Sequence, residues 1–327
     1  MGRVFRAIAL TGVLALAILA PRVAAEAQPA RVYRIGVVML GGPYSLAVDG
    51  LREGLRKLRF EEGKNFVLDI RDTKGDFKSA ETAAQSLERE AVDLIYAVGT
   101  SVALTTKRST KTVPIVFHSG GDPVVIGLVE TFRKPGGRLT GVHSQSRNLA
   151  PKRLELLKEM VPTLRRVVTF YNPDNPAQPS MESARAAARE LKIELVERRV
   201  ASVEELRTSL RALRPGEADA IFYAGDAMVS SQAQLVIEVA KTKKLPTMLL
   251  EETSVAMGAL ASYGVSYKTV GHLSAKQVHR ILLGARPGDL PVEQFDRLHF
   301  AINLKTAKAL GLTIPPAVLA RADQVIR

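Results

Sequence analysis

Polar side chains that could hold a small charged molecule follow several apolar, strand-like segments of the chain. In the run Gly99-Thr100-Ser101, two hydroxyl groups come directly after such a segment and at the predicted start of a helix. Glycine lets a ligand approach the backbone, and the free N–H groups at a helix start attract anions. The run could therefore cradle a carboxylate. Because Ser and Thr also cap helices in proteins of every function, capping is the alternative.

A carboxylate at Asp226 could supply a charge of the opposite kind. It follows another apolar segment, where it could pair with a ligand ammonium group once water is excluded. Asp226 could equally cap the helix that follows. For Asp122, which precedes Pro123, the same choice favours capping. Tyr44 and Tyr171 could stack on an aromatic or cationic ligand, or could simply cover a hydrophobic core.

The remaining candidates lie at or just after the ends of predicted strands. In open parallel sheets, ligands bind beyond the carboxyl ends of the strands. The complete set of predicted ligand-binding residues is Gly42, Tyr44, Gly99, Thr100, Ser101, Ser119, Asp122, Ser144, Tyr171, Asn172, Asn175, Asp226, Glu251 and Tyr263.

The sequence contains no motif typical of catalysis or of a bound cofactor. G-x-S-x-G, Walker and G-x-G-x-x-G patterns are absent, the five histidines lack H-E-x-x-H spacing, and there is no cysteine. Two acidic pairs, Glu61-Glu62 and Glu251-Glu252, are neighbours in sequence, which does not make them an acid/base pair. We therefore expect a binding protein without a metal or cofactor, and no enzyme.

Two series of alternating strands and helices would position these residues. The first series has predicted strands at 34–40, 65–71, 92–98, 114–118 and 139–143, and predicted helices at 46–58, 79–90, 100–109 and 123–132. The second begins with a helix at Pro151 and has predicted strands at 166–171, 193–200, 218–224, 246–250, 258–263 and 297–304, with helices at 180–191, 203–213, 230–243 and 268–283. This alternation predicts an α/β protein with two doubly wound parallel sheets.

Residues 1–27 have the three regions of a cleavable secretory signal. Basic Arg3 and Arg6 precede an apolar run at 7–20, and small residues follow at Ala25 and Ala27. The run falls short of the roughly 20 residues that a membrane span needs. Since no cysteine is present to carry a lipid, the sequence predicts an untethered periplasmic protein.

The chain is basic, with 46 Lys and Arg against 33 Asp and Glu. Clustered cations would indicate nucleic acid or anionic lipid as a partner. Here they are spread along predicted helices, mostly beside acidic residues, which favours a solvated surface. We expect no nucleic-acid partner.

Several longer motifs, taken together, resemble a known family. They are Val113–Phe117, Gly121–Val124, Gly127–Val129, Pro135–Gly137, Thr140–Val142, Tyr171–Pro173, Gly258–Gly264, Leu290–Gln294, Asn303–Leu312 and Ala320–Asp323. With these motifs the chain resembles the ABC-transporter substrate-binding proteins typified by tryptophan- and tyrosine-binding members. It departs from the family at His272, where an Arg is common, and at Arg138, where an Asn is common.

The resemblance implies a type I periplasmic binding fold, in which two lobes joined by three crossings close on a small ligand. We place the crossings near 143–147, 263–267 and 291–295. The predicted division is a signal peptide at 1–27, a first lobe at 28–145 with 266–292, and a second lobe at 146–265 with 293–327. The implied partners are an aromatic or other amino acid and an ABC permease in the inner membrane, and the protein is expected to be a monomer.

Three other functions remain open at this point. A periplasmic subunit that presents its ligand to a membrane receptor would have the same sequence features. An exported α/β enzyme would need a catalytic cluster in the cleft. A cytosolic repressor-like domain would need a DNA-binding segment in place of the signal peptide.

Overall fold

The computed structural model describes residues 31–144, 149–177 and 181–327. The predicted signal peptide lies outside these residues, as does most of the first predicted crossing. No helix in the described ranges is long and apolar enough to cross a membrane.

The described residues form thirteen strands, and those that the sequence predicted agree with it to within a few residues. They are β1 (Tyr33–Met39), β2 (Phe66–Asp72), β3 (Leu94–Val98), β4 (Ile115–Ser119), β5 (Leu139–His143), β6 (Arg166–Tyr171), β7 (Glu194–Arg199), β8 (Ala220–Phe222), β9 (Thr247–Leu249), β10 (Ala261–Gly264), β11 (Glu293–Gln294), β12 (His299–Asn303) and β13 (Gln324–Ile326). The sequence did not predict β11 and β13, which have two and three residues and are too short for a hydrophobic pattern.

Twelve α-helices are described between and after these strands. They are α1 (Ser45–Lys57), α2 (Phe77–Arg89), α3 (Thr100–Ser109), α4 (Ala150–Met160), α5 (Met181–Glu190), α6 (Val203–Arg211), α7 (Ala227–Ser231), α8 (Ala233–Lys243), α9 (Thr253–Ala256), α10 (Tyr267–Leu282), α11 (Leu304–Ala309) and α12 (Pro316–Leu319). The helix predicted at 123–132 is wrong. That segment forms turns in which the N–H groups of Leu128 and Val129 both bond to Pro123 O, and Gly127 has φ of 73°.

The strands form two sheets with the same internal order. The first sheet runs β11-β5-β4-β3-β1-β2 and is parallel throughout. The second runs β13-β12-β10-β9-β8-β6-β7 and is parallel except between β10 and β12. In each sheet the second strand of the series (β2 or β7) lies at the edge, on one side of the first strand (β1 or β6). The third strand (β3 or β8) lies on the other side, so the strand order reverses direction once. The sheets therefore have one topological switch point each, between β1 and β3 and between β6 and β8.

The chain passes between the two sheets three times. The first passage leads from β5 to β6, and the second from β10 to α10. The third follows β11, which pairs with β5 through Glu293↔Val142 and Gln294↔His143. The predicted crossing at 291–295 is therefore too early, and the passage occupies 295–298. Residues 293 and 294 belong to the first sheet, whereas the predicted division gave them to the second lobe.

The side chain of Glu88 fixes the loop that leads into β4. Its carboxylate accepts hydrogen bonds from the backbone N–H groups of Lys111 at 2.8 Å, Thr112 at 2.7 Å and Val113 at 3.0 Å. Burial alone would raise the pKa of Glu88, but these donors outweigh it and lower the pKa to about 2. The charged form is thus favoured in the folded state.

We expect Glu88→Gln to lower the free energy of unfolding by about 1 kcal/mol at pH 7, since charge-assisted bonds at a half-exposed site are lost. A folded-state pKa below the unfolded value stabilises the protein above about pH 4.5, and this contribution is lost as the pH falls towards 2. Urea unfolding should therefore show a smaller difference in the free energy of unfolding between the wild-type protein and Glu88→Gln at pH 3 than at pH 7. Glu81→Gln, on the exposed side of the same helix, is the control. Equal differences at both pH values would contradict this assignment.

Candidate functional site

The two switch points face each other across one cavity. The residues that line it come from the ends of strands in both sheets and from the start of α10. They are Tyr44, Gly99, Thr100, Ser101, His118, Gly120, Ala177, Tyr223, Gly225, Ala227, Leu250 and Tyr267. The free space at its centre is ≈ 40 Å³, room for about three water molecules. The lobes therefore leave little free space between them.

Thr100 and Ser101 form the first-lobe wall without capping their own helix. The N-cap of α3 is Gly99, whose φ of 102° favours glycine, and no side chain caps this helix start. The Thr100 hydroxyl instead accepts a bond from Gly120 N at 2.9 Å. The first residues of α3 thus line the cavity, and the first N–H groups of a helix have no acceptor within it, an arrangement that suits a carboxylate.

Three tyrosines and a histidine form the aromatic part of the cavity. The rings of Tyr44 and Tyr267 lie 4.9 Å apart, and His118 meets Tyr267 edge-on at 5.5 Å. Burial raises the pKa of Tyr44 to about 12 and that of Tyr223 and Tyr267 well above 10. The three hydroxyl groups therefore stay neutral and can donate hydrogen bonds to a ligand.

His118 is a neutral hydrogen-bonding group within this cavity. It is 2% exposed, and its Nε2 atom lies 3.0 Å from the hydroxyl of Ser144. Burial, with a smaller contribution from nearby His143, lowers the pKa of His118 to about 3. Its Nδ1 atom has no hydrogen-bond partner in the described part of the chain. A ligand can supply the missing partner, and Ser144 orients the ring.

A chain of hydrogen bonds joins the lobes beside the cavity. Ser101, in the first lobe, donates from its hydroxyl to Asn175 Oδ1, in the second, at 2.6 Å. The Nδ2 atom of Asn175 donates to Asp226 Oδ2 at 2.9 Å. The predicted residues Ser101, Asn175 and Asp226 are therefore brought together, although they are far apart in sequence. This contact holds the lobes in their present, closed arrangement.

Asp226 has the capping role that was one of its two predicted functions. Its Oδ1 atom accepts a bond from Val229 N at 3.0 Å, and Oδ2 also accepts one from Asn172 N at 3.0 Å. Burial raises the pKa of Asp226, and these donors and Asn175 oppose the increase. Asp226 is not among the residues that line the cavity, but its neighbours Gly225 and Ala227 are, so its hydrogen bonds support the cavity wall.

Several other predicted residues lie near the cavity without lining it. Asp122 caps a turn, where its carboxylate accepts from Val124 N at 2.8 Å. Ser119 donates to Gly121 O at 2.7 Å. Tyr171 belongs to the core of the second lobe; its hydroxyl accepts from Arg199 at 3.0 Å.

Three more of the predicted residues make backbone contacts. Asn172 holds the loop after β6 by accepting from Asp174 N at 2.8 Å. Gly42 approaches the backbone of Ser231 so closely that a Cβ atom would lie 2.3 Å from Ser231 O. Tyr263 accepts a bond at its carbonyl from Arg153, at 2.7 Å.

Arg153 places a buried positive charge behind the cavity. Its guanidinium carbon lies 5.6 Å from the centre of the Tyr223 ring. Burial lowers the pKa of Arg153 to about 10, so the side chain is charged at neutral pH. The charge opposes the effect of burial on the pKa of Tyr223, which makes this hydroxyl a better donor towards an anion.

Sequence reasoning missed His118, Tyr223 and Tyr267 as cavity residues. Each lies inside or beside an apolar segment and is typical of a core residue in the sequence. The switch-point rule would have found Tyr223, which follows β8, but the order of strands in a sheet is not visible in one sequence. The two departures from the family, Arg138 and His272, are outside the cavity.

Both departures have structural roles. Arg138 donates to the carbonyl groups of Lys107 at 2.8 Å and Thr110 at 2.7 Å, at the end of α3. His272 Nε2 lies 3.0 Å from a carboxylate oxygen of Glu53, between α10 and α1. Among the described residues, no group of three His, Cys, Asp or Glu side chains could hold a metal ion.

Comparison with known proteins found a relative and a solved structure that are similar over most of this chain. A tyrosine-binding protein of Clostridioides difficile (strain R20291) is 29% identical over 267 residues, which cover 81% of this chain and 76% of the relative. A solved ABC domain from Streptococcus pneumonia, in complex with L-Trp, is 27% identical with a TM-score of 0.79, over 90% of this chain and 100% of the other.

A third similar protein has been solved in an open form. It is the ligand-free, open form of a substrate-binding protein with adhesive properties from Clostridium difficile, 26% identical over 90% of this chain and 99% of the other, and its TM-score is 0.56. Identity and coverage are close to those of the L-Trp complex, whereas the TM-score is lower.

These proteins share the type I periplasmic binding fold, with two α/β lobes joined by three crossings. The family described as ABC transporter substrate binding protein matches residues 35–326, nearly the whole described chain. The protein belongs to the ABC transporter substrate-binding protein family.

Proposed function

We propose that this protein is the periplasmic solute-binding component of an ABC importer. It would capture an amino acid between its lobes and deliver it to a permease in the inner membrane. The two lobes would comprise residues 28–145 with 266–294 and 146–265 with 295–327. The export signal predicted at 1–27 and the absence of cysteine from the sequence support an untethered protein in the periplasm.

One observation carries the proposal: the cavity between the switch points offers separate groups for the parts of an amino acid. The uncapped start of α3, the hydroxyl of Thr100 and the tyrosine hydroxyls can hold a carboxylate. The Nδ1 atom of neutral His118 can accept a bond from an ammonium group. The rings of Tyr44 and Tyr267 can pack on an aromatic or apolar side chain.

The same residues disfavour chemistry on the ligand. A general base needs a titratable group with a pKa near the working pH, whereas burial lowers the pKa of His118 to about 3. The carboxylate of Asp226 is engaged by backbone and Asn175 donors. A site of neutral donors and acceptors suits reversible binding.

Thermal unfolding with a panel of amino acids tests the proposal. At a ligand concentration 100 times its Kd, binding stabilises the folded state by about 2.7 kcal/mol, which corresponds to a rise in Tm on the order of 5 °C. We expect such a rise for at least one of L-tryptophan, L-tyrosine and L-phenylalanine, and none for their D-enantiomers.

A variant of the cavity wall tests whether the Thr100 hydroxyl contributes to binding. Thr100→Val keeps the side-chain shape but removes the hydroxyl, so we expect the same unliganded Tm within a few degrees and a smaller ligand-induced rise. If no amino acid or small carboxylate raises the Tm of the wild-type protein, the proposed function is wrong.

A further inference from the structure

A second, mostly apolar cavity lies directly behind the first. Tyr223 and Leu250 line both cavities, so the two share a wall. Most of the lining of the second cavity is apolar and includes Phe170, Phe222 and Val236. Its free space is ≈ 20 Å³, so it could accept an apolar group from a ligand in the first cavity only if its walls move apart.

Both lobes contribute to this second cavity. Most of its lining belongs to the second lobe, but Pro43 comes from the turn after β1 in the first. The adjoining Gly42 contacts the backbone of Ser231 across the lobe boundary. The second cavity is therefore completed by the same closure that completes the first.

One carboxyl group, Glu251, lines this apolar cavity. The residue is 1% exposed, and neither side-chain oxygen has a hydrogen-bond partner in the described part of the chain. A buried polar group without a partner destabilises the folded state. The helix that follows does not account for it, since Glu252 is the N-cap of α9 and no side-chain bond caps that helix.

The surroundings of Glu251 favour its neutral form. Burial and the charge of Glu252 raise the pKa of Glu251 to about 8. The backbone N–H groups of Tyr267, Glu252 and Thr253 lie near enough to oppose this in part, but outside hydrogen-bond geometry. A neutral carboxyl group both donates and accepts a hydrogen bond. Its best partner is a neutral group that does the same, such as a hydroxyl, because an ammonium ion in this apolar lining would lose its hydration.

We propose that the second cavity is the side-chain subsite of the ligand site, in which the Glu251 carboxyl group bonds to a hydroxyl at the end of an apolar arm. This inference rests on the proposed function and makes it more specific. The ligand's arm would enter while the lobes are apart, pass Tyr223 and Leu250, and be covered by Pro43 on closure. The preferred ligand would then be an amino acid such as L-tyrosine rather than L-phenylalanine, which lacks the hydroxyl.

Titration calorimetry with L-tyrosine and L-phenylalanine tests the inference on the wild-type protein. A lost hydrogen bond that leaves a buried partner unsatisfied costs about 1–3 kcal/mol, so L-tyrosine should bind roughly 10- to 100-fold more tightly. Equal affinities, or tighter binding of L-phenylalanine, would overturn the inference and leave the proposed function intact. If neither amino acid binds, the inference fails, and the proposed function then depends on the other ligands of the panel.

Variants of Glu251 test whether this residue causes the preference for L-tyrosine over L-phenylalanine. Glu251→Leu should bring the two affinities to within about threefold, mainly by weakening L-tyrosine binding, whereas Glu251→Gln, which still donates and accepts, should keep most of the preference. Glu238→Gln, at an exposed position of α8, should leave the preference unchanged. An undiminished preference in Glu251→Leu would show that another residue recognises the hydroxyl. The wild-type titrations stand even if this variant does not fold.

Discussion

Asp226→Ala should lower the free energy of unfolding by about 3 kcal/mol and weaken ligand binding at least tenfold. The carboxylate accepts bonds from Val229 N, Asn172 N and Asn175 Nδ2, and the variant leaves all three donors buried without a partner. Loss of an N-cap costs about 1 kcal/mol, and each unsatisfied buried donor adds about 1–3 kcal/mol before relaxation.

The effect on binding follows from the position of Asn175. Asp226 orients this amide, whose oxygen accepts a hydrogen bond from the hydroxyl of Ser101 in the opposite lobe. The variant should therefore weaken the contact between the lobes in the closed form. Urea unfolding and calorimetric titration measure the two effects separately. Asp226→Asn, which retains one acceptor oxygen, should lose less stability than Asp226→Ala. A stability change below 0.5 kcal/mol in Asp226→Ala would contradict the assigned hydrogen bonds.

Gly271→Ala should lower the free energy of unfolding by about 3 kcal/mol through steric conflict. Helices α1 and α10 approach so closely that a Cβ atom on Gly271 would lie 2.1 Å from Ala47 O and 2.7 Å from Leu51 N. These are backbone atoms, which cannot move aside as a flexible side chain can, and overpacking of this kind typically costs about 1–3 kcal/mol.

Gly271→Ala should also disturb the cavity, because α10 begins with Tyr267. A shift of the helix would displace this ring from Tyr44 and His118, so ligand affinity should fall together with stability. Arg280→Ala, at an exposed position of the same helix, is the matched control and should change stability by less than 0.5 kcal/mol. If Gly271→Ala unfolds at the wild-type urea concentration, the close packing of α1 on α10 is wrong.

Local sequence patterns predicted most of the fold because the buried strands and amphipathic helices have clear periods. The strand Leu94–Val98 is buried at every position, and its apolar run was visible in the sequence. The helix predicted at 123–132 was wrong because Asp122-Pro123 is typical of a helix start, whereas the chain turns at Gly127. The two-residue strand β11 has no pattern of its own, and only its pairing with β5 reveals it.

The site was less predictable because it depends on which strand ends meet. Tyr171 and Tyr223 both lie at strand ends in the second lobe, and nothing in their sequence surroundings separates them. The fold turns Tyr223 towards the cavity and Tyr171 into the core. His118 appears as one polar residue in an apolar strand, and its role follows only from its contact with Ser144 and the ring of Tyr267.

Closure of the lobes on an amino acid is the central claim, and the distance between the lobes measures it directly. The chain has no cysteine, so spin labels can be attached to Val125→Cys in the first lobe and Glu204→Cys in the second, both exposed positions. We predict that the amino acid with the largest thermal stabilisation shifts the distance distribution to one shorter, narrower peak, and that its D-enantiomer does not. A distribution that saturating ligand leaves unchanged would contradict the account.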